Sequence, residues 1–318
     1  MSSRSREITV RPAGTLAGVT RRDRSALLAD ACALLRCPLC GEPLAPAGES
    51  AVRCPARHTF DVARHGYLSL LSGSRPTSGD DDAMAVARAR FLDTGAYDPI
   101  RDAVADLAAP ALSGERAVGS DARMTDIDDG SAAPVVLDIG AGTGHYLATA
   151  LGRAPESARG IALDTSTRAL RVAARAHPGI VAATWDAFKP FPLPDASVDV
   201  VLDVFAPRNP AEFARVLRPT GRLVVARPTG RHLAELRDEV AAMVSIDPAK
   251  EERLAAALGP RFAEIETCLV EQSIALDPEQ ARDLIGMTPS ARHLDAASAI
   301  GHGLEVTISV LVSAYALR

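Results

Sequence analysis

Long apolar runs are missing from this sequence of 318 residues. No stretch approaches the roughly 18 uninterrupted apolar residues of a helical membrane span, which argues against an integral membrane protein. The N-terminus carries arginines without the apolar segment of a signal peptide, so a cytoplasmic protein is expected. Cysteine is scarce. There are five, an odd number with Cys32 and Cys268 standing apart, which excludes a disulfide framework and suits a reducing compartment. Positive charge is also short, with 35 Lys and Arg against 40 Asp and Glu and a net charge of −5. No internal repeat is visible, which excludes a solenoid.

What is present is unevenly distributed. Residues 1–75 hold eleven arginines against six acids, a net +5 that leaves −10 for the rest of the chain. A basic front on an acidic body permits contact with a polyanion through the front alone. At 47% hydrophobic residues the chain can fill one large core and a small second unit.

Residues 1–24 show no apolar periodicity and read as a flexible basic arm. Leu27, Leu28, Cys32 and Leu35 then fall near helical spacing and lead into a cysteine cluster, so that 25–75 forms one module. "SGSRPTSGDDD" at 72–82 is a linker. Within 76–133, two helices broken at "DTGAYDP" precede a polar, disordered excursion at 113–134. From 134 to 318, strand runs ("PVVLDIG", "GIALD", "GIVAAT", "VDVVLDVF", "GRLVVAR") alternate with helical patterns, and the chain closes on two β-rich runs with a helix between them. That alternation predicts an α/β fold with a mostly parallel sheet covered on both faces.

"VVLDIGAGTGHYL" places Gly140, Gly142 and Gly144 between a strand and a helix, where backbone turns tightly and approaches a ligand closely. A dinucleotide fingerprint would set its third glycine at His145, and a P-loop would need a Lys-Ser/Thr that is absent. G-x-G-x-G preceded by Asp138 resembles the first motif of class I S-adenosylmethionine-dependent methyltransferases. That resemblance implies a Rossmann-like fold, with the glycines and His145 under the methionine and ribose of the cofactor and Asp138 near its amino acid end. Asp164, closing the second strand, is then expected to accept from the ribose hydroxyls, and Asp186, after the third, from the adenine amine. The competing reading makes the glycines a simple turn and the aspartates helix caps.

Cys37, Cys40, Cys54 and His58 form C-x2-C-x13-C-x3-H, two short-spaced pairs joined by a hairpin-sized loop. Four soft or borderline ligands complete a tetrahedral zinc site and leave no position for water, so the metal is expected to be structural; the competing reading is three buried thiols and an exposed histidine.

"DVFAPRNP" (203–210) follows the fourth strand, where a methyltransferase of this class presents the acceptor. Asp203 is the candidate base, Asn209 or Arg208 a candidate for hydrogen-bonding the edge of a flipped base, and Phe205 a stacking surface. Asn209 fits equally well as the N-cap of "PAEFARVL".

The cluster followed by "HTFDVARHGYLSLL", then "ARARFLDTGAYDPIRD", the glycine loop, "VFAPRNPAEFARVLRPTGRLVVARPTGRHLAEL" and "MTPS" together resemble the zinc-containing 23S rRNA (guanine-N1)-methyltransferases. Within them the tylosin- and mycinamicin-resistance type is most similar. The resemblance implies zinc on Cys37, Cys40, Cys54 and His58, and S-adenosylmethionine on Asp138, Gly140, Gly142, Gly144 and Asp164. It also implies 23S rRNA as partner through the zinc module, with the helix 35 loop as target, a homodimer with one joint RNA cleft, and tylosin-type macrolide resistance. The arm, the excursion at 113–134 and the lack of a tryptophan after "MTPS", where Ala291 and Arg292 stand, depart from the family pattern. Two other readings stay open from the residues alone: a class I methyltransferase acting on a small molecule, and a zinc-dependent RNA-binding factor with a vestigial cofactor site.

Overall fold

A computed structural model describes residues 23–71, 80–113, 133–240, 250–292 and 301–318. Most of the basic arm, the linker and the excursion lies outside them. The first helix, α1 (Arg24–Leu34), is capped by Asp23, whose side chain accepts from Ser25 N–H, and buries Leu27, Leu28 and Ala31. Three short strands follow, β1 (Ala45–Pro46), β2 (Ala51–Arg53) and β3 (Thr59–Asp61), forming an antiparallel sheet of their own. Next come β4 (Tyr67–Leu68), α2 (Asp82–Asp93) and α3 (Asp98–Leu112).

The second half runs β5 (Val135–Ile139), α4 (His145–Gly152), β6 (Arg159–Asp164), α5 (Thr167–Ala176), β7 (Ile180–Thr184), β8 (Val198–Val204), α6 (Pro210–Val216) and β9 (Leu217–Pro228). It closes with α7 (Ala234–Glu239), α8 (Lys250–Leu258), β10 (Phe262–Leu276), α9 (Pro278–Gly286) and β11 (Leu304–Leu317). The expected helix break in "DTGAYDP" falls between α2 and α3, where Gly95 takes φ +79°.

The main sheet has eight strands in the order β10-β11-β9-β8-β5-β6-β7-β4. All neighbours from β9 to β4 pair in parallel, and β11 is antiparallel to both β9 and β10. The alternation predicted the mostly parallel sheet, and the architecture is the class I methyltransferase one that the resemblance of the glycine loop implied. The strand order reverses between the parallel neighbours β5 and β8, since β6 and β7 lie on one side and β9 on the other. A crevice opens at the carboxyl ends of those two strands, the usual ligand position in such sheets.

The zinc-binding module does not stand apart from this sheet. Its last strand, β4, is the sheet's outer strand beside β7, and the N–H groups of Leu70 and Leu71 both donate to Thr184 Oγ1, at 3.0 and 3.1 Å. Leu28, Cys37, Cys54 and Phe60 belong to the same apolar cluster as Ile161, Val181 and Trp185. Module and sheet therefore share one core, because a segment with so few apolar residues buries them best against a larger neighbour. No helix among the described residues is long and apolar enough to cross a membrane.

Candidate functional site

The two cysteine knuckles come together as their spacing predicts. In the first, Gly41 takes φ +74° and donates to Cys37 O at 2.8 Å. In the second, Arg57 adopts the left-handed conformation (φ 67°) and donates to Cys54 O at 2.9 Å. The four ligand atoms of Cys37, Cys40, Cys54 and His58 lie within 4.8 Å of one another. Cys40 Sγ is 3.7 Å from Cys54 Sγ, and His58 Nδ1 is 3.5 Å from Cys37 Sγ and 3.4 Å from Cys54 Sγ. A zinc ion about 2.3 Å from sulfur and about 2.0 Å from nitrogen requires tetrahedral edges of about 3.8 Å and about 3.5 Å. The residues fit that ion, through Nδ1 of the histidine.

At the crevice, Gly140, Gly142 and Gly144 all have positive φ (65°, 54° and 77°). Two of them also need the absence of a side chain: a Cβ on Gly140 would lie 2.9 Å from Ala206 Cβ, and one on Gly144 3.1 Å from Ala173 Cα. Asp164 binds the loop from below, its Oδ2 accepting from Gly142 N–H at 2.8 Å and its Oδ1 from Ser166 N–H at 2.7 Å. Burial pushes its carboxyl above the usual range against the pull of those two amides. Asp138 is 1% exposed, and its Oδ2 has no hydrogen-bond partner among the described residues. Burial, and then the charges of Asp164 and Asp203, push its carboxyl well up. A buried acceptor in this state fits a cationic donor, and the ammonium of S-adenosylmethionine is one.

The loop floors a cavity of about 880 Å³, near the upper end for small-molecule sites. Asp138, Gly140, Gly142, His145, Asp164, Thr165 and Trp185 line the part above β5, β6 and β7, and Val204–Arg208, Pro228, His232, Leu233 and Arg237 line the part above β8 and β9. Helix α2 and the start of α3 roof it with Met84, Arg88 and Tyr97. Arg88 is fastened by Asp80 (2.6 Å) and by Met287 O (2.8 Å).

His145 faces the cavity with Nε2 buried and unpartnered among the described residues. Burial, with Arg101 adding to it, pushes its pKa down to about 4, so the ring is neutral at physiological pH. Asp186 is 5% exposed and accepts from Phe188 N–H at 3.0 Å. Its neighbours Trp185 and Ala187 line the cavity, while Asp186 itself does not.

The structure sets both acceptor-end candidates, Asp203 and Asn209, back from the cavity lining. Asp203 is fully buried, forms an ion pair with Arg208 Nε at 3.1 Å and does not line the cavity. Strand side chains alternate between faces: Val204 takes the cavity face, and Asp203 takes the other. Asn209 is used by the backbone, accepting from Glu212 N–H at 3.4 Å as the N-cap of α6 and donating to Ala187 O at 3.1 Å. The capping reading of Asn209 is the one that the geometry supports.

Tyr97, Arg88 and His232 were missed by sequence reasoning about function. Arg88 and Tyr97 come from "ARARFLDTGAYDP" and His232 from "PTGRHL", and each reaches the cavity only once α2, α3 and β9 are packed together.

Residues 35–75 match the family model described as "RlmA, N-terminal", a zinc ribbon, and residues 136–221 match "Methyltransferase domain". The chain is 43% identical over 295 residues to a protein of Micromonospora griseorubida named "Putative 23S rRNA (guanine-N(1)-)-methyltransferase", covering 88% of this chain and 96% of the relative. It is 40% identical over 261 residues to the "23S rRNA (guanine(748)-N(1))-methyltransferase" of Streptomyces fradiae, covering 82% and 86%. A Bacillus subtilis protein named as a putative enzyme of the same kind is 33% identical over 208 residues, covering 64% and 67%. With a zinc-fitting Cys3His cluster, a class I methyltransferase sheet and this identity over most of both chains, the protein belongs to the 23S rRNA (guanine-N1)-methyltransferase family.

Proposed function

We propose that the protein methylates N1 of a guanine in a hairpin loop of 23S rRNA, using S-adenosylmethionine, and so confers tylosin-type macrolide resistance. The observation that carries this reading is the two-part cavity, which continues from the glycine loop past Phe205–Arg208 with room for a flat base beside the cofactor. When bound, S-adenosylmethionine would supply an electrophilic methyl group, which guanine N1 would accept as the methyl–sulfur bond breaks, with the N1 proton passing to water. The chain's own part is to bind and orient. Asp164 and Asp138 offer acceptors, and Phe205, 38% exposed at the cavity, offers an aromatic face for an unstacked base. Asp203 enters as the group that positions Arg208, and Asp186 as a support for the loop that follows β7. A looped-out guanine shows its N1 edge at a lower unstacking cost than a paired one.

A basic cluster supports RNA as the substrate. Arg64 and Arg175 approach the two ring nitrogens of His65 at 3.0 and 3.1 Å, and Arg171 adds a third guanidinium charge beside that ring. None of the three arginines forms an ion pair among the described residues, and Arg171 Nε is buried without a hydrogen-bond partner there. A neutral imidazole accepts at one nitrogen only, so donors are left over for phosphate. The homodimer belongs to the same proposal.

The test is primer extension on 23S rRNA from cells with and without the gene. N1 methylation blocks pairing, so reverse transcriptase is expected to stop one nucleotide before the modified guanine of the helix 35 loop. A stop elsewhere would keep the reaction and refute the site, and methyl transfer to small molecules alone would favour the small-molecule reading.

A further inference from the structure

The acceptor half of the cavity holds a hydrogen-bond chain that the reading above does not use. Ser309 on β11 donates its backbone N–H to His232 Nδ1 at 3.2 Å. That amide can only donate, so Nδ1 is the bare nitrogen of the ring, and burial holds the imidazole neutral by pushing its pKa down to about 4. The proton of a neutral imidazole must then sit on Nε2, which lies 3.2 Å from the hydroxyl of Tyr97. His232 donates and Tyr97 accepts. The phenol's own hydrogen therefore points elsewhere, and no other described residue takes it. Tyr97 is only 4% exposed, yet it lines the cavity, and burial pushes its ionisation upward, so that it stays a donor.

The surroundings hold this donor in place. Phe205 packs on both rings, with centroids 6.2 Å from Tyr97 and 6.2 Å from His232, and Phe91 meets Tyr97 edge-on at 5.2 Å. Phe205 and Leu233, which follows His232, both take φ 56°. Left-handed backbone at bulky residues is strained and persists where the surrounding structure holds it in place. Among the described lining residues, the part of the cavity above β8 and β9 contains no carboxylate; Asp80, Asp138 and Asp164 all lie outside it.

We propose that Tyr97 is a catalytic residue whose hydroxyl donates to O6 of the acceptor guanine, and that His232 is the positioning residue that turns the hydroxyl toward it. The proposal rests on the guanine-N1 reading of this cavity. As N1 loses its proton, negative charge spreads onto O6, and a fixed donor there binds the reacting form more tightly than the resting base. The same donor selects for a carbonyl at that position over the amino group of adenine.

Single-turnover methyl transfer to a 23S rRNA hairpin transcript, carrying guanosine or 6-thioguanosine at the acceptor, tests this. Loss of one such donor slows transfer about 100-fold, so Tyr97→Phe is expected to be about 100-fold slower on guanosine. On the thio substrate, whose sulfur is a weak acceptor, Tyr97→Phe and the unmodified enzyme are expected to differ by less than about threefold, against the 100-fold that a full donor is worth. His232→Leu should slow the unmodified enzyme and leave Tyr97→Phe no slower than before, because it acts through that hydroxyl. Calorimetric binding of S-adenosylhomocysteine, unchanged in Tyr97→Phe, shows that the cofactor half is intact. An undiminished rate for Tyr97→Phe on guanosine, or an equal loss on both substrates, would overturn the role of Tyr97. No RNA methylation by the unmodified enzyme would overturn the guanine reading and this proposal with it.

Discussion

Replacing Asp164 with alanine removes a side chain that ties the glycine loop to the end of β6. Both of its oxygens already accept a backbone amide, Gly142 N–H at 2.8 Å and Ser166 N–H at 2.7 Å. Hydrogen bonds to a charged group contribute about 1.5–3 kcal/mol each, so their gross loss is about 3–6 kcal/mol. Burial raises the carboxyl's pKa, which shows that the charge is held at some desolvation cost. Its removal returns part of the loss, and a net destabilisation of about 2–4 kcal/mol is expected. Asp164→Asn keeps one acceptor and turns an N–H donor toward the other amide, so it should lose at least half as much. Each carboxylate oxygen also has a second lone pair for a ribose hydroxyl, and alanine should weaken cofactor binding about tenfold to a hundredfold. Urea unfolding reads the first effect from the midpoint at constant slope, and calorimetry with S-adenosylhomocysteine reads the second. An Asp164→Ala midpoint equivalent to a change of less than about 0.5 kcal/mol would show that the carboxylate does not hold the loop.

Protein purified without chelator should contain one zinc per chain. Cys54→Ser should lose it and, because β4 and Thr184 tie the module to the sheet, should speed hydrogen exchange along β7 as well as in the knuckles; unaltered exchange in β7 would mean that the module is energetically separate. His232 has a folded pKa of about 4 against about 6.5 when unfolded. Its contribution to stability is complete above pH 6.5 and is lost as pH falls toward 4, by up to about 1.4 kcal/mol per pH unit. The raised carboxyls of Asp138 and Asp164 act with the opposite sign, so the effect is read as the difference between the unmodified protein and His232→Gln in urea midpoints from pH 7 to pH 4. Parallel curves would mean that His232 is not held neutral.

Sequence alone determined the elements whose signal is local. Glycines at alternate positions between a strand and a helix permit φ above zero and close approach, so Gly140, Gly142 and Gly144 were legible as a tight loop, and their resemblance to the class I methyltransferase motif made it a cofactor loop. Two short-spaced cysteine knuckles supply the four soft or borderline ligands that a tetrahedral ion needs, so the four zinc ligands could be named as candidates before any fold was known. Strand alternating with helix is a periodicity, and it yielded the parallel sheet. Tertiary structure decided what depends on phase and packing. A one-residue step along β8 separates Val204 in the cavity from Asp203 behind it, and periodicity does not say which face the chain offers. Asn209 could cap or catalyse until Ala187 and Glu212 were placed around it. The pairing of Tyr97 with His232 joins residues 135 positions apart, and the direction of its proton is set by an amide on β11. Nothing along the chain connects those three groups until α3, β9 and β11 are packed against one another.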